Sequence, residues 1–272
     1  MIQSAVTINL IGSMSVGPWI FWHDLEESLK KAATLGFDGV ELFTGSGADV
    51  DAEYLRKQLD HYGLKLAAVG TGAGKVIHGG LTLTDPDPNI RQKAISFISE
   101  MISFGAQFGA PAIIGSMQGN VLPGGNREET MSWLIQGLTI LQKTASDQGV
   151  MLIYEPLNRY ETNLLNTLKA GSEFLKTNDL NNVRLLADLF HMNIEEDSLP
   201  QIIMESGNYI GHVHFADSNR RPIGFGHTDM QPIATALKEI GYAGYVSAEA
   251  FPWPNPDAAA EQTINAFRKF FR

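Results

Sequence analysis

"VMLIYEPLNRYET", residues 150–162, opens as an apolar strand and ends that strand on a glutamate, Glu155, directly before Pro156. A carboxylate at the end of a buried strand must face a partner, because a buried charge left alone is costly. The same kind of run recurs along the chain. Strands are predicted over 5–11 (AVTINLI), 39–44 (GVELFT), 64–70 (LKLAAVG), 110–117 (APAIIGSM), 150–156 (VMLIYEP), 183–190 (VRLLADLF), 210–216 (IGHVHFA) and 244–251 (GYVSAEAF). Between them lie stretches with apolar residues at three- and four-residue spacing, such as DLEESLKKAATLG and NIRQKAISFISEMISFGAQFG, most of them closed by glycine. Alternation of this kind marks parallel βα units. Eight units in 272 residues, with no Pro/Ser-rich linker between them, predict an α/β fold made of a single (β/α)8 TIM barrel over residues 1–272. A two-domain doubly wound protein is the competing arrangement.

Composition narrows the function. Twenty Lys+Arg against thirty Asp+Glu give a formal net charge of −10, which argues against a surface that gathers phosphate backbones, so no nucleic-acid partner is expected. No run approaches the roughly 18 apolar residues of a membrane span, and the start MIQSAVTINLIGSM lacks the charged segment of a secretory signal. The expectation is a soluble, cytoplasmic protein. With no cysteine in the chain, disulfides, thiolate metal sites and cysteine nucleophiles are excluded.

A barrel places its chemistry at the carboxyl ends of its strands. Glu155 closes the fifth predicted strand, Asp188 comes late in RLLADLFHMN, His214 late in GHVHFAD and Glu249 late in GYVSAEAF. With alternation, Glu155 shares a face with Ile153 and Met151, and Glu249 with Ser247 and Tyr245, so all can point into the barrel mouth. Three carboxylates converging there need a cation among them. The set is hard and oxygen-rich and suits Mn2+, Mg2+ or Co2+, with Zn2+ not excluded. The bland alternative is a set of strand-end carboxylates held by Arg159, Arg184 or Arg220.

The blocks EPLNRYET, DLFHMNIEE, GHVHFADSNRRPIGFGH and GYVSAEAF together resemble the D-tagatose/D-psicose (D-allulose) 3-epimerases, within the xylose-isomerase-like sugar isomerases and epimerases. The resemblance extends over essentially the whole chain, whereas LGFDGVEL is common to the wider superfamily. It implies that Glu155, Asp188, His214 and Glu249 hold one divalent metal ion, Mn2+ first. It also implies that Glu155 and Glu249 are the catalytic acid/base pair, and that Glu161, His191 and Arg220 bind the sugar. The implied reaction deprotonates and reprotonates C3 of a ketose or keto-sugar through a metal-stabilised enediolate, and the implied assembly is a homodimer or homotetramer. Two glutamates suit an inversion, which must remove a proton from one face and return one to the other. Rival readings are a lyase acting on a keto-sugar or ketoinositol with the same metal site, and an aldose–ketose isomerase. A DNA-repair enzyme resembling endonuclease IV is set against by the charge and the histidine placement, and a non-catalytic sugar-binding barrel by the two acid/base candidates.

Other residues carry weaker signals. His212 shares the parity of His214 and is expected one layer deeper, as a buried histidine behind the ligands. Glu41 stands at another strand end, either to orient substrate hydroxyls or to anchor a loop. The aromatic cluster Trp19, Phe21, Trp22 and His23 could stack on a sugar, cap the barrel or meet another subunit. GTGAGKVIHGG (70–80) lacks the lysine context of a phosphate-binding loop and is expected to be a mobile active-site loop. Two departures from the epimerase pattern stand out: Thr228, Asp229 and Met230 where a Pro-Trp element is expected, and a long SMQGNVLPGGN loop after strand four. Both are expected near the distal end of the substrate.

Overall fold

The structure, a computed structural model, describes residues 1–272. Eight parallel strands follow one another around a closed barrel: β1 (Gln3–Asn9), β2 (Gly39–Phe43), β3 (Lys65–Gly70), β4 (Ala112–Ile114), β5 (Leu152–Tyr154), β6 (Val183–Asp188), β7 (Ile210–His214) and β8 (Tyr245–Ala248). Closure comes from β8 pairing with β1, Gln3 opposite Tyr245 through Val6 opposite Ala248. A two-residue strand, Phe21–Trp22, continues alongside Ile8 and Asn9.

All eight predicted strands are present, and most are shorter at their carboxyl ends. The strand expected over 110–117 stops at Ile114 and turns into a 3-10 helix, Ser116–Gln118, while Leu189 and Phe190 begin a helix rather than ending β6. Ladder hydrogen bonds need a neighbour on each side, and at the rim the neighbours have already bent away into βα loops. Helix boundaries follow their caps. In the helix Leu25–Leu35, Asp24 accepts from the Glu27 N–H and Gly36 closes the end at φ 83; in Ala52–Tyr62, Asp51 and Gly63 (φ 66) do the same.

Two apolar compartments result. The larger lies between the barrel wall and the helix ring. The smaller is a layer inside the barrel, one residue from each of four neighbouring strands: Ala68, Ile113, Ile153 and Leu186. Across the interior the buried residues are instead polar, with Glu41 on β2 and His212 on β7. Outer-wall side chains such as Leu152 and Leu185 are fully buried, and truncating either to alanine is expected to cost about 2–5 kcal/mol. Two register shifts, between Val40 and Glu41 and between Leu185 and Leu186, interrupt the ladders just below the mouth. Such irregularities re-aim side chains near functional sites.

Candidate active site

The strands β5 to β8 deliver their terminal carboxylates and imidazole to one point. Asp188 and His214 are the last residues of β6 and β7, and Glu155 and Glu249 lie one residue beyond β5 and β8. One ligand atom from each of the four lies within 4.8 Å of all the others, and all four residues are buried. His214 Nδ1 is at the centre, 3.2 Å from Asp188 Oδ2 and 3.6 Å from both Glu155 Oε1 and Glu249 Oε2.

Each side chain is aimed by local structure. Asp188 divides its carboxylate: Oδ1 caps the helix Leu189–Glu195 by accepting from the N–H groups of Phe190 and His191, which leaves Oδ2 for the site. That cap folds His191 back over the cluster, its Nε2 3.8 Å from Asp188 Oδ2 and 3.9 Å from Glu155 Oε1. His191 Nδ1 lies 3.2 Å from the backbone N–H of Asn158 and 2.7 Å from its side-chain amide. A backbone N–H can only donate, so Nδ1 accepts and the ring carries its N–H on Nε2, facing the site without a partner. Glu155 is fixed through its backbone, its N–H on the Ile114 carbonyl and its own carbonyl accepting from Gln118 Nε2 at 2.9 Å.

Of Arg159, Arg184 and Arg220, only Arg220 reaches the cluster. Its Nη2 lies 2.5 Å from Glu249 Oε2 and its Nη1 3.6 Å from Glu161 Oε1. Arg159 instead pairs with Glu195, and Arg184 donates to the carbonyls of Asn181 and Val183. Arg220 adopts φ 58, a left-handed conformation that a non-glycine residue holds only when its surroundings impose it. The surroundings here are the Asp217 carboxylate, which accepts from the N–H groups of Ser218 (2.7 Å), Gly224 (2.8 Å) and Thr228 (3.0 Å), and the Phe251 N–H, which donates to the Arg220 carbonyl.

Electrostatics separate the carboxylates. Burial, the largest influence, pushes Glu249 up to about 8; Arg220 and His214 oppose it, and Glu155 and Asp188 add to it. Burial also works to raise Asp188, but His191 and His214 outweigh it and hold that group well below the carboxylate range. Burial works to lower His214, and the charges of Glu41 and Glu249 overcome it, leaving the imidazole well above its usual value. Three buried carboxylates around one imidazole, with Glu155 Oε1 buried and unpartnered, form a donor set that a divalent cation could complete.

The cavity above the cluster measures about 190 Å3. Glu155, Glu161, His214, Arg220 and Glu249 form its floor, and Met14, Pro18, Trp19, Phe43 and Val76 contribute an apolar wall. Of the aromatic cluster only Trp19 lines it; Trp22 packs edge-on against Trp19. Glu41 does not face the cavity. It is fully buried and meets His212 and His214 from beneath, so His212 lies where parity predicts. The segment expected as a loop at 70–80 contains a short helix, Gly72–Ile77, seated because Gly74 lets the Phe97 ring approach: a Cβ there would lie 2.3 Å from it. The long loop after β4 braces the loop after β5, through Asn120 and Val121 to Asn163 and through Arg127 to the carbonyls of Asn163 and Leu164. Only its first residues, Gly115 and Ser116, line the cavity. Thr228 and Asp229 serve the chain itself, Thr228 within the Asp217 loop and Asp229 capping the helix Met230–Glu239. Gln118 and Asn158, which hold Glu155 and His191, escaped the sequence reading. Both are buried amides, and nothing in their spacing distinguishes them from loop residues.

Comparison with known proteins agrees with this geometry. The family model described as xylose isomerase-like TIM barrel matches residues 29–270. A D-psicose 3-epimerase of Ruminiclostridium cellulolyticum is 32% identical over 240 residues, 84% of this chain and 78% of that protein. The 3-dehydro-D-guloside 4-epimerase of Escherichia coli is 38% identical over 112 residues, 41% of this chain and 43% of its own. The solved structure of an L-ribulose 3-epimerase superposes with a TM-score of 0.83 at 26% identity, covering 99% of this chain and 94% of that one. No helix is long and apolar enough to cross a membrane. The chain therefore belongs to the xylose isomerase-like TIM barrel family, among its ketose 3-epimerases, and is an enzyme of the isomerase class.

Proposed function

We propose that the protein is a divalent-metal-dependent 3-epimerase of an uncharged ketose or keto-sugar. The observation that carries the reading is the convergence of Glu155, Asp188, His214 and Glu249, two of them glutamates able to exchange protons, beneath a cavity of sugar size. These four residues would hold the ion, with Mn2+ the first candidate for such a donor set and Mg2+, Co2+ and Zn2+ as alternatives. A divalent cation bound there would draw off the negative charge that builds on the ketone oxygen.

The chain's own groups do the rest. One of Glu155 and Glu249 takes the C3 proton, and the other delivers a proton to the opposite face of the planar carbon. The His191 Nε2–H, with no partner in the protein, is free to donate to a substrate oxygen. Glu161 would accept from a sugar hydroxyl, and Arg220, its guanidinium braced by Glu161 and Glu249, would hold another oxygen. Arg220 is also the only lysine or arginine lining the cavity, so no free cation remains for a phosphate. The similarity to a 4-epimerase of a dehydro-guloside favours a second reading, in which the sugar is a keto-glycoside inverted at another carbon beside the ketone.

Proton NMR in D2O on chelator-treated protein, with and without Mg2+ or Mn2+, tests both readings against a panel of ketoses and keto-glycosides. Metal-dependent deuterium uptake beside the ketone with formation of the epimer is the expected result. Loss of water or of a substituent would transfer the site to a lyase, and no exchange on any bound sugar would refute catalysis.

A further inference from the structure

We propose that Glu41 is a positioning residue of the metal centre, fixing His214 so that Nδ1 presents its lone pair to the ion. The inference rests on the metal reading above. Two clusters in the barrel are compact enough to hold an ion, the four-residue set and a second one formed by Glu41, His212 and His214. His214 belongs to both, with Nδ1 in the first and Nε2 in the second.

The second cluster is a hydrogen-bonded array. Glu41 Oε2 lies 2.8 Å from His212 Nε2 and Oε1 lies 3.1 Å from His214 Nε2, both hydrogen-bond lengths. With one imidazole nitrogen at hydrogen-bond length from each oxygen, the Glu41 carboxylate is the acceptor of both bonds. Each imidazole must then donate its Nε2–H. A ring with its N–H on Nε2 leaves Nδ1 as the nitrogen able to bind a metal. His214 is thereby committed to face Asp188, Glu155 and Glu249 with its donor nitrogen. His212 has a part in this, because it occupies the second oxygen and stops the carboxylate from turning away. Glu41 reaches this place from β2, across the barrel, where the register shift at Val40 and Glu41 adjusts its strand.

Wild-type protein and Glu41→Gln are compared by calorimetric titration of chelator-treated samples with Mn2+, and the wild type is examined by long-range 1H–15N NMR with Mg2+ bound. The wild type is expected to bind one ion per chain. Glu41→Gln is expected to bind it about 10–100-fold more weakly, the usual effect of losing a carboxylate behind a metal-bound imidazole. In the spectrum His214 is expected to carry its proton on Nε2. Failure of the wild type to bind any ion refutes the metal reading itself. Binding by both proteins within twofold overturns only the role of Glu41. Two ions per chain, one lost in Glu41→Gln, would make Glu41 a ligand and overturn the proposal as well. Should Glu41→Gln not fold, the wild-type spectrum decides alone, since a His214 protonated on Nδ1 with metal bound excludes this arrangement.

Discussion

Gly115 stands directly after β4 with the Glu155 carboxylate against its Cα. A Cβ built there would lie 2.5 Å from Glu155 Oε2 and 3.7 Å from Cδ. Ordinary contact begins near 3.4 Å, so in Gly115→Ala the oxygen must retreat by about 1 Å. Stability and function should respond very differently to that retreat. The displaced atom is the far end of a flexible side chain, so the fold is expected to lose on the order of 1 kcal/mol, a few degrees in Tm. A metal site tolerates only about 0.2 Å in a ligand distance, and a misplacement near 1 Å costs about a hundredfold in rate. Gly115→Ala is therefore expected to remain folded while binding Mn2+ at least tenfold more weakly and turning over about a hundredfold more slowly. Thermal unfolding without metal, Mn2+ titration and epimer formation followed by chromatography measure the three quantities. A folded Gly115→Ala with wild-type affinity and turnover would refute the assignment of Glu155 to the metal.

Glu249→Gln is expected to lower turnover at least about a hundredfold with little change in KM, as for loss of one acid/base group, and near-normal turnover would end the two-glutamate scheme. Mn2+ at a hundred times its Kd is expected to raise Tm by about 5 °C, reversed by chelator; no shift would mean that the native fold holds no ion. Burial works to raise Asp217, but the N–H groups of Thr228, Gly224, Gly226 and Ser218 outweigh it and keep the carboxyl below its usual range. A group lowered in the folded state stabilises above its unfolded value near 4, and that contribution is lost as pH falls through the native value. In Asp217→Asn the part of the Tm decline below about pH 4 that Asp217 causes should disappear; a superimposable acid limb would show that the loop does not depend on this charge.

The eight strands were legible because each is an apolar run punctuated by turn residues, and Glu155, Asp188, His214 and Glu249 because each is a charged or polar residue at the end of such a run. What was not legible depends on partners far away in the chain. Glu41 meets His212 and His214 across 171 and 173 residues, so the sequence alone points it to substrate hydroxyls or to a neighbouring loop, whereas its side chain meets the histidines below. Gln118 acts through one hydrogen bond to the Glu155 carbonyl, and Asn158 through its backbone N–H and side-chain amide on His191 Nδ1, which no local pattern announces. The helix at Gly72–Ile77 hides in a glycine-rich segment because it is held by Phe97 packing on Gly74 rather than by helix propensity. The loop 116–126 is expected beside the substrate's far end; its Ser116 lines the cavity, while its asparagines and Arg127 tie the rest to the neighbouring loop, contacts that the sequence does not announce.

The two walls of the cavity come from different stretches of the chain. Met14 and Trp19 follow β1, Phe43 ends β2 and Val76 follows β3, while the four candidate ligands stand at the ends of the last four strands. Selectivity for the sugar's tail and the machinery for proton transfer can therefore drift independently, and exchanging residues 10–80 between relatives should retarget such a barrel without rebuilding its chemistry. Glu41 is the exception inside that block. A chimera that lost it would inherit a new pocket above a histidine no longer steered from below.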